Sequence, residues 1–557
     1  MAEKKKKISR VKNPRVQEQR SPVAPESDYT GGKRFFKLGA ALSLLVSFAV
    51  YIRTMAGSSS FWDSGEFIAA SYTLGVPHSP GTPLYVLVGR VFTLLPIPVP
   101  IAVRVNLISA LCGALGALFI YLLVVRFLDA VLGRSKSDVE NAIKVIGGLV
   151  GAFFITFSNT YWTNATEAEV YAMSCFLMGF MTWIGLKWEE KAELPRGDLL
   201  IYLLFYLLAL SVGFHLGTML AFSGVFFYIL MTREKRFSNL EFLVACFGVG
   251  IFMADATLYR SGSFTMFLVV VFVLLVLWLY TTKSSFALSC TLLFILGLSV
   301  HLYLLIRSGH NPAIDEGDPE TWKALYAVLR REQYPPMNVF VRKASFLFQL
   351  QHFNGYFQEQ FEMFRLYIGR LNLGSAIPIG LGLWGMVDHY TRHKKTFVML
   401  FTTFLVTSLG LIIFLNFSDH EVRERDYFYS PAFYYFAIFI GIGAASIMNE
   451  VKKLYGKMGG TAHALTYALG GLLLFFPLVT GHHYFFKHDR SKNFVCREYA
   501  KNMLGPLEKD AIIFTNGDND TFPLWYIQEV EHVRKDVRVV NLSLHNTPGD
   551  IKQLRDN

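Results

Sequence analysis

Asp63 and Glu66 stand three residues apart in "FWDSGEF", just past the first long apolar segment. On a helical turn that spacing sets both carboxylates on one face. Trp62 and Phe67 can seat the turn in a bilayer interface, so that a carboxylate faces a dry cleft. The chemistry open to such a group is proton transfer to or from a hydroxyl. A plainer role is also available, because Asp at a helix N-cap followed by Glu at the third helical position is a common start signal. The next residues, "GVPHSPGTPLY", hold three prolines and two glycines, which forbid a continuous helix. They predict a rigid turn carrying His78 in either a structural or a catalytic role.

The elements that must position these side chains are membrane helices. With 53% hydrophobic residues and 50 Phe in 557, the chain carries more apolar surface than a soluble core of ordinary proportions can hide. A hydrocarbon core of roughly 30 Å needs about 20 apolar residues per span. Thirteen stretches meet that need, near 35–52, 103–125, 145–161, 171–187, 199–213, 216–231, 240–258, 263–281, 286–306, 375–391, 396–415, 431–448 and 462–480. The predicted fold class is therefore an α-helical polytopic membrane protein of about 13 transmembrane helices. The intervening "LYVLVGRVFTLLPIPVPIAVR" is broken by Arg90 and three prolines, and predicts an amphipathic helix on the surface rather than a span. Residues 1–34 are too polar for a signal-peptide core and read as a disordered basic cytoplasmic arm.

The net charge of +11 does not point to nucleic acid, because Lys and Arg lie in short runs between apolar segments, as membrane orientation requires. With the N-terminus inside, the cytoplasmic loops are 126–144 with four Lys/Arg, and 187–198, 232–239, 391–395 and 449–460 with three each, together with Lys283. The loops at 159–170 and 214–215 have none. Arg53, Arg90, Arg104 and Arg260 are scattered over the outer edges, and Arg423 and Arg425 share one short outer loop. That orientation sends four acidic patches to the outer face: 61–67, "TEAEVY" at 166–171, "DEGDPE" at 315–320 and "SDHEVRERDYF" at 418–428. Of five cysteines, Cys112, Cys175, Cys246 and Cys290 fall in apolar segments and Cys496 stands alone, so no disulfide framework or CxxC metal site is indicated.

Four stretches carry a family resemblance in this order: "WDSGEFIAASYTLGVPHSPGTPLYVLVGR", "ATEAEVYAMSCFLM", "RERDYFYSPAFYYFAIFIGIG" and "AIIFTNGDNDTFPLWYIQEVEHVRKDVRVVNLSL". Together they resemble an integral-membrane family long catalogued as a domain of unknown function, whose animal members are protein O-mannosyltransferases. The family is similar to the GT-C glycosyltransferases, multi-span enzymes that use a polyprenyl-phosphate-linked sugar at a non-cytoplasmic site. The resemblance implies a GT-C-like domain over 35–480 with outer loops 53–102, 307–374 and 416–430. It implies transfer of a sugar, most simply mannose, to Ser/Thr hydroxyls of an acceptor protein, with membrane lipid as surroundings and no nucleic acid. The matching catalytic base is Asp63, with Glu66 as the second candidate, and the reaction is expected to invert. The site would be periplasmic in a bacterial inner membrane, or luminal in an endoplasmic-reticulum membrane.

Such a transfer also needs cations for the departing phosphate. Arg425 or Arg423 can supply them, since guanidinium matches phosphate bidentately; local pairing with Glu421, Glu424 and Asp426 is the competing role. Glu167 and Glu169 could bind sugar hydroxyls or orient the acceptor, against a capping box of Thr166 with Glu169. His78 and Trp62 complete the candidate sugar and acceptor side. No zinc-type His/Cys spacing occurs, so no tightly bound metal is expected, although Asp63 and Glu66 with phosphate oxygens have the chemistry to hold Mg or Mn.

The loop 307–374 is too polar to span and too aromatic for a linker; in this position it could cover the site or guide the acceptor. Residues 481–557 read as a soluble α/β segment on the outer face, strand, helix and strand, with Asp518 and Asp520 of "GDND" in a strand-end turn rather than a nucleotide-sugar D-x-D element. Relatives that continue into a larger soluble part would make this chain a short form or a fragment. A transporter or lipid flippase is the alternative from another class, and would be expected to show inverted repeats and mid-span ionisable groups. No repeat is evident, and Asp255 is the main intramembrane acid. A transferase that builds glycolipids is the closer mechanistic rival.

Overall fold

The computed structural model describes residues 30–257, 262–282, 284–334 and 338–543. Residues 1–29 of the expected basic arm, Arg260, Lys283 and 544–557 lie outside these. Helix occupies all thirteen expected stretches. Eight helices among the described residues are long and apolar enough to cross a membrane, including Ile101–Leu132, Asp138–Thr156, Lys394–Leu415, Asp426–Leu454 and Gly460–His488. The rest are shorter or less apolar. Asp198–Ser211, for example, has 14 residues, or about 21 Å at 1.5 Å per residue, short of the hydrocarbon thickness. The expected thirteen therefore comprise these eight and five further helices, among them Tyr171–Glu189 of 19 residues and Gly262–Thr281 of 20.

Helix Ser430–Leu454 forms the centre, buried without interruption from Ser430 to Ser446. Lipid tails are as apolar as leucine, so helices in a membrane associate through close packing rather than through expulsion of water, and small residues permit it. A Cβ on Gly443 would lie 1.9 Å from the Leu381 carbonyl oxygen, and one on Gly385 2.0 Å from that of Phe439. Helix Ala376–Arg392 thus lies backbone to backbone on the central helix. Helices Asp138–Thr156 and Ile101–Leu132 pack on its other sides, where Tyr434 donates to the Gly116 carbonyl.

Charge separates toward two ends. At one end, ion pairs join loops that the sequence marks as basic: Arg126–Glu190 at 3.2 Å, Lys452–Glu140 at 2.6 Å, Arg392–Glu450 at 2.9 Å, and Lys395–Glu189. The acidic patches meet one another away from these loops. The short helix Pro83–Thr93 follows the proline-rich turn and packs on helix Ser64–Thr73, with Arg90 donating to the Tyr72 carbonyl. Within 307–374 the described chain is ordered into helices Trp322–Leu329 and Phe346–Gln360 and a small antiparallel pair, Tyr367–Ile368 with Leu371–Asn372. Strands Ile512–Thr515 and Arg538–Asn541 pair in parallel, joined through helix Asp518–Glu531.

Candidate functional site

Helix Ser64–Thr73 starts at an N-cap occupied by Asp63, but the Asp63 side chain makes no capping hydrogen bond. It turns instead to Arg423, whose Nη1 lies 3.5 Å from Asp63 Oδ2 and whose Nη2 lies 3.8 Å from Glu169 Oε1. The guanidinium sits between two rings, 4.2 Å from the centre of Trp62 and 4.5 Å from that of Tyr427. Stacking of this kind is favourable for a weakly hydrated, delocalised cation. The side chains of Arg423, Asp63 and Glu169 are 15%, 17% and 4% exposed, so Asp63 keeps some exposed surface and Glu169 almost none.

Glu66 has a different fate. Its side chain is fully buried and accepts the His78 backbone N–H at 2.7 Å, while its second oxygen lies 2.6 Å from His78 Nδ1. The prolines hold the turn that makes both contacts possible. Burial pushes His78 down, but the Glu66 carboxylate outweighs it and holds the imidazolium well above the ordinary histidine value. With both oxygens engaged, Glu66 is fixed as an ion-pair partner, whereas Asp63 retains an accessible face.

Two further segments close on this pair. Val76 exchanges backbone hydrogen bonds with Ile314 and Glu316, which brings "DEGDPE" against the turn. Glu316 thereby approaches Glu66, and burial followed by the Glu66 charge pushes its carboxyl well up. From the C-terminal segment, Asn519 Oδ1 accepts the Trp62 N–H at 2.7 Å. Asp518 lies beside it, its carboxyl raised by burial and then by Asp63 and Glu66. The expected strand-end turn at 518 and 520 is instead the first turn of a helix. Asp520 accepts from Tyr499, whose ring packs on Phe61.

The remaining candidates divide. Arg425 takes the local role, 3.3 Å from Glu421, and donates to the Tyr427 hydroxyl at 2.9 Å. It lines a cavity with Phe348, His352, Ile412, Phe417 and Glu421, bounded by helix Phe346–Gln360. Glu167 is drawn away into an ion pair with Arg490. The capping box does not form: Thr166 donates to the Trp162 and Thr163 carbonyls, and Val170 caps the next helix. In the sequence Asp518 reads only as a turn residue and Asn519 is not singled out. The available signal is the acid pair 518 and 520 after an apolar strand, beyond the last span and on the same expected face as the other patches. Among the described residues, no group of three or more His, Cys, Asp or Glu is placed to hold a metal ion.

Burial is the main cause of a strongly raised Glu169 carboxyl; Asp63 adds to it and Arg423 opposes it. One Glu169 oxygen has no hydrogen-bond partner. A carboxyl whose folded value is raised stabilises the fold below the ordinary glutamate value and loses that contribution as pH rises through the folded value. Glu169→Gln is therefore expected to raise thermal stability at neutral and alkaline pH. The gain should shrink to nothing in acid below the ordinary glutamate range, as read by melting in detergent across pH. An unchanged difference between the two proteins at every pH would count against a neutral Glu169.

Comparisons with known proteins agree with the resemblance in the motifs. Residues 63–238 match the family model described as the protein O-mannosyl-transferase TMEM260 N-terminal domain, and 496–557 match the TMEM260-associated domain 2. The protein O-mannosyl-transferase TMEM260 of Mus musculus is 23% identical over 506 residues, covering 88% of this chain and 61% of that protein. Its namesake in Dictyostelium discoideum is 22% identical over 518 residues, covering 89% and 56%. The chain thus spans about three-fifths of the length of the curated relatives it matches. The archaeal oligosaccharyltransferase AglB of Archaeoglobus fulgidus, solved with an inhibitory peptide and a dolichol-phosphate, has a similar fold. Its TM-score is 0.50 at 11% identity, over 90% of this chain and 64% of that one. An Archaeoglobus fulgidus oligosaccharyltransferase tethered to an acceptor peptide scores 0.50 at 13% identity, over 93% and 66%. The fold is that of a helical, polytopic GT-C-like membrane protein.

Proposed function

We propose that this chain is a glycosyltransferase that moves a sugar, most simply mannose, from a polyprenyl phosphate to Ser/Thr hydroxyls of proteins on the non-cytoplasmic face. The observation that carries the reading is Asp63, a partly exposed carboxylate held against a ring-stacked arginine, beside a Glu66 that is fully buried and paired. The names of the curated relatives support mannose and a protein acceptor. The dolichol-phosphate and peptide bound to the archaeal protein of similar fold support the donor and acceptor classes.

The acceptor oxygen attacks the anomeric carbon as the bond to the phosphate oxygen breaks, Asp63 takes the hydroxyl proton, and the lipid phosphate leaves with the electron pair. A single displacement of this kind inverts the anomeric centre and needs no covalent intermediate. Glu66 does not compete for the proton, because its two oxygens are held by His78. Arg425 is the candidate for the phosphate, since it lines a small cavity beside Phe348 and Phe417. Tyr427 links it to the Arg423–Asp63 pair, accepting from Arg425 and stacking under Arg423. No tightly bound metal takes part in this scheme.

The test is purified protein with polyprenyl-phosphate mannose and Ser/Thr peptides. Mannosyl peptide formed with inverted stereochemistry, and formed in the presence of a chelator, is the expected result. Lipid turnover without peptide product would move the acceptor to a glycolipid, and transmembrane movement of the lipid without turnover would overturn the transferase reading. Arg425→Ala is expected to weaken donor binding by about tenfold, the size of one charge-assisted hydrogen bond, and to leave peptide binding intact. Unchanged donor affinity would remove Arg425 from the phosphate.

A further inference from the structure

The turn "NGDND" and the helix it opens reach the site from the far end of the chain, and one contact from each falls on either side of Asp63. On one side, Asn519 Oδ1 accepts the Trp62 N–H. Trp62 has φ +64°, in the left-handed region that bulky residues seldom enter without support from their surroundings. That conformation places the indole against the Arg423 guanidinium and leaves Asp63 facing the same cation. On the other side, Gly65 lies so close to helix Asp518–Glu531 that a Cβ there would stand 2.6 Å from the Phe522 carbonyl oxygen. Asp63 is thus the middle residue of a segment gripped at both flanks by residues 519–522.

We propose that Asn519 is a positioning residue for Asp63, and that the C-terminal α/β segment is a working part of the transfer site rather than an appendage to the membrane domain. Asn519 touches no substrate; it holds the Trp62 peptide, and through it the direction of the Asp63 carboxylate and the stacking of Arg423. Gly65 completes the grip by admitting the Phe522 backbone. The inference rests on Asp63 as the base and adds the element that aims it. A misplacement of about 1 Å at a reacting group can cost on the order of 100-fold in rate, so the grip should register in turnover before it registers in binding.

The experiment uses the full chain in detergent with polyprenyl-phosphate mannose and a Ser/Thr peptide. Asn519→Ala is expected to lower kcat about 10- to 100-fold with both KM values nearly unchanged, and Asn519→Asp, which keeps an acceptor oxygen, to recover much of the loss. Gly65→Ala should show the same split without removing any polar group. Glu529→Ala, which loses the Lys535 ion pair at the far end of the same helix, should turn over normally. Normal kcat in both Asn519→Ala and Gly65→Ala would overturn the proposal, and so would an equal loss in Glu529→Ala, which would mark general weakening of the segment. Full transfer by Asp63→Asn would instead remove the base itself, a result these variants do not produce.

Discussion

Asp63→Asn is expected to reduce transfer by about 10²- to 10⁴-fold, the contribution of a positioned general base, while donor and peptide still bind. The substitution keeps shape and one acceptor oxygen, so the Trp62 and Gly65 contacts on either side persist. What disappears is the group that can take the hydroxyl proton. Glu66 stands three residues away but cannot substitute, because it is buried and both its oxygens are held by the His78 turn. Product formation should therefore fall without a matching rise in KM for peptide. A variant that transfers at the parent rate would sink Asp63 as base, and Glu66→Gln measured alongside would show whether the neighbouring carboxylate had the role.

The second large effect concerns stability as well as rate. Arg423→Met removes the cation beside Asp63 and leaves that carboxylate without its partner in a partly buried site. Breaking a buried pair from one side costs on the order of 3 kcal/mol or more, because the charge left behind has lost both water and partner. Methionine preserves much of the apolar contact with Trp62 and Tyr427, so the loss reports charge rather than packing. Arg423→Met should thus melt at lower temperature than the parent and transfer little sugar. Adding Glu169→Gln should recover part of the melting temperature, since it removes the cost of keeping a buried carboxyl protonated at neutral pH, but none of the turnover. A single variant as stable as the parent would show that the pair carries no net stabilisation.

Much of this site was legible as residue types, and less of it as roles. The acidic patches could be assigned to one face from Lys and Arg in the loops, and they do meet in space through Arg423, Val76 and Glu316. The choice between Asp63 and Glu66 was not legible, since it depends on a histidine twelve residues on and a proline-held turn that bends it back. Arg423 and Arg425 are alike in sequence, yet one reaches across the site to Asp63 and the other turns to Glu421. Glu167 and Glu169 diverge likewise, one to Arg490 and one to Arg423. Asn519 was invisible because its partner lies 457 positions away, a contact that no local pattern encodes. The helices were easier: apolar length predicts where they run, but the hydrogen bonds and glycine contacts of Ser430–Leu454 decide which of them lies at the centre.

The enclosure of Arg423 between Trp62 and Tyr427 bears on how the protein meets ionic strength. Mobile ions weaken charges they can surround, and the Debye length is about 8 Å in physiological saline. The pairs that join loops at the opposite end include partly exposed ones, such as Arg392–Glu450 and Arg126–Glu190, and these are open to that screening. The Arg423 guanidinium is sandwiched by two rings, so dissolved ions reach its faces poorly. Rising salt should loosen the far end of the bundle more than the Arg423 stack.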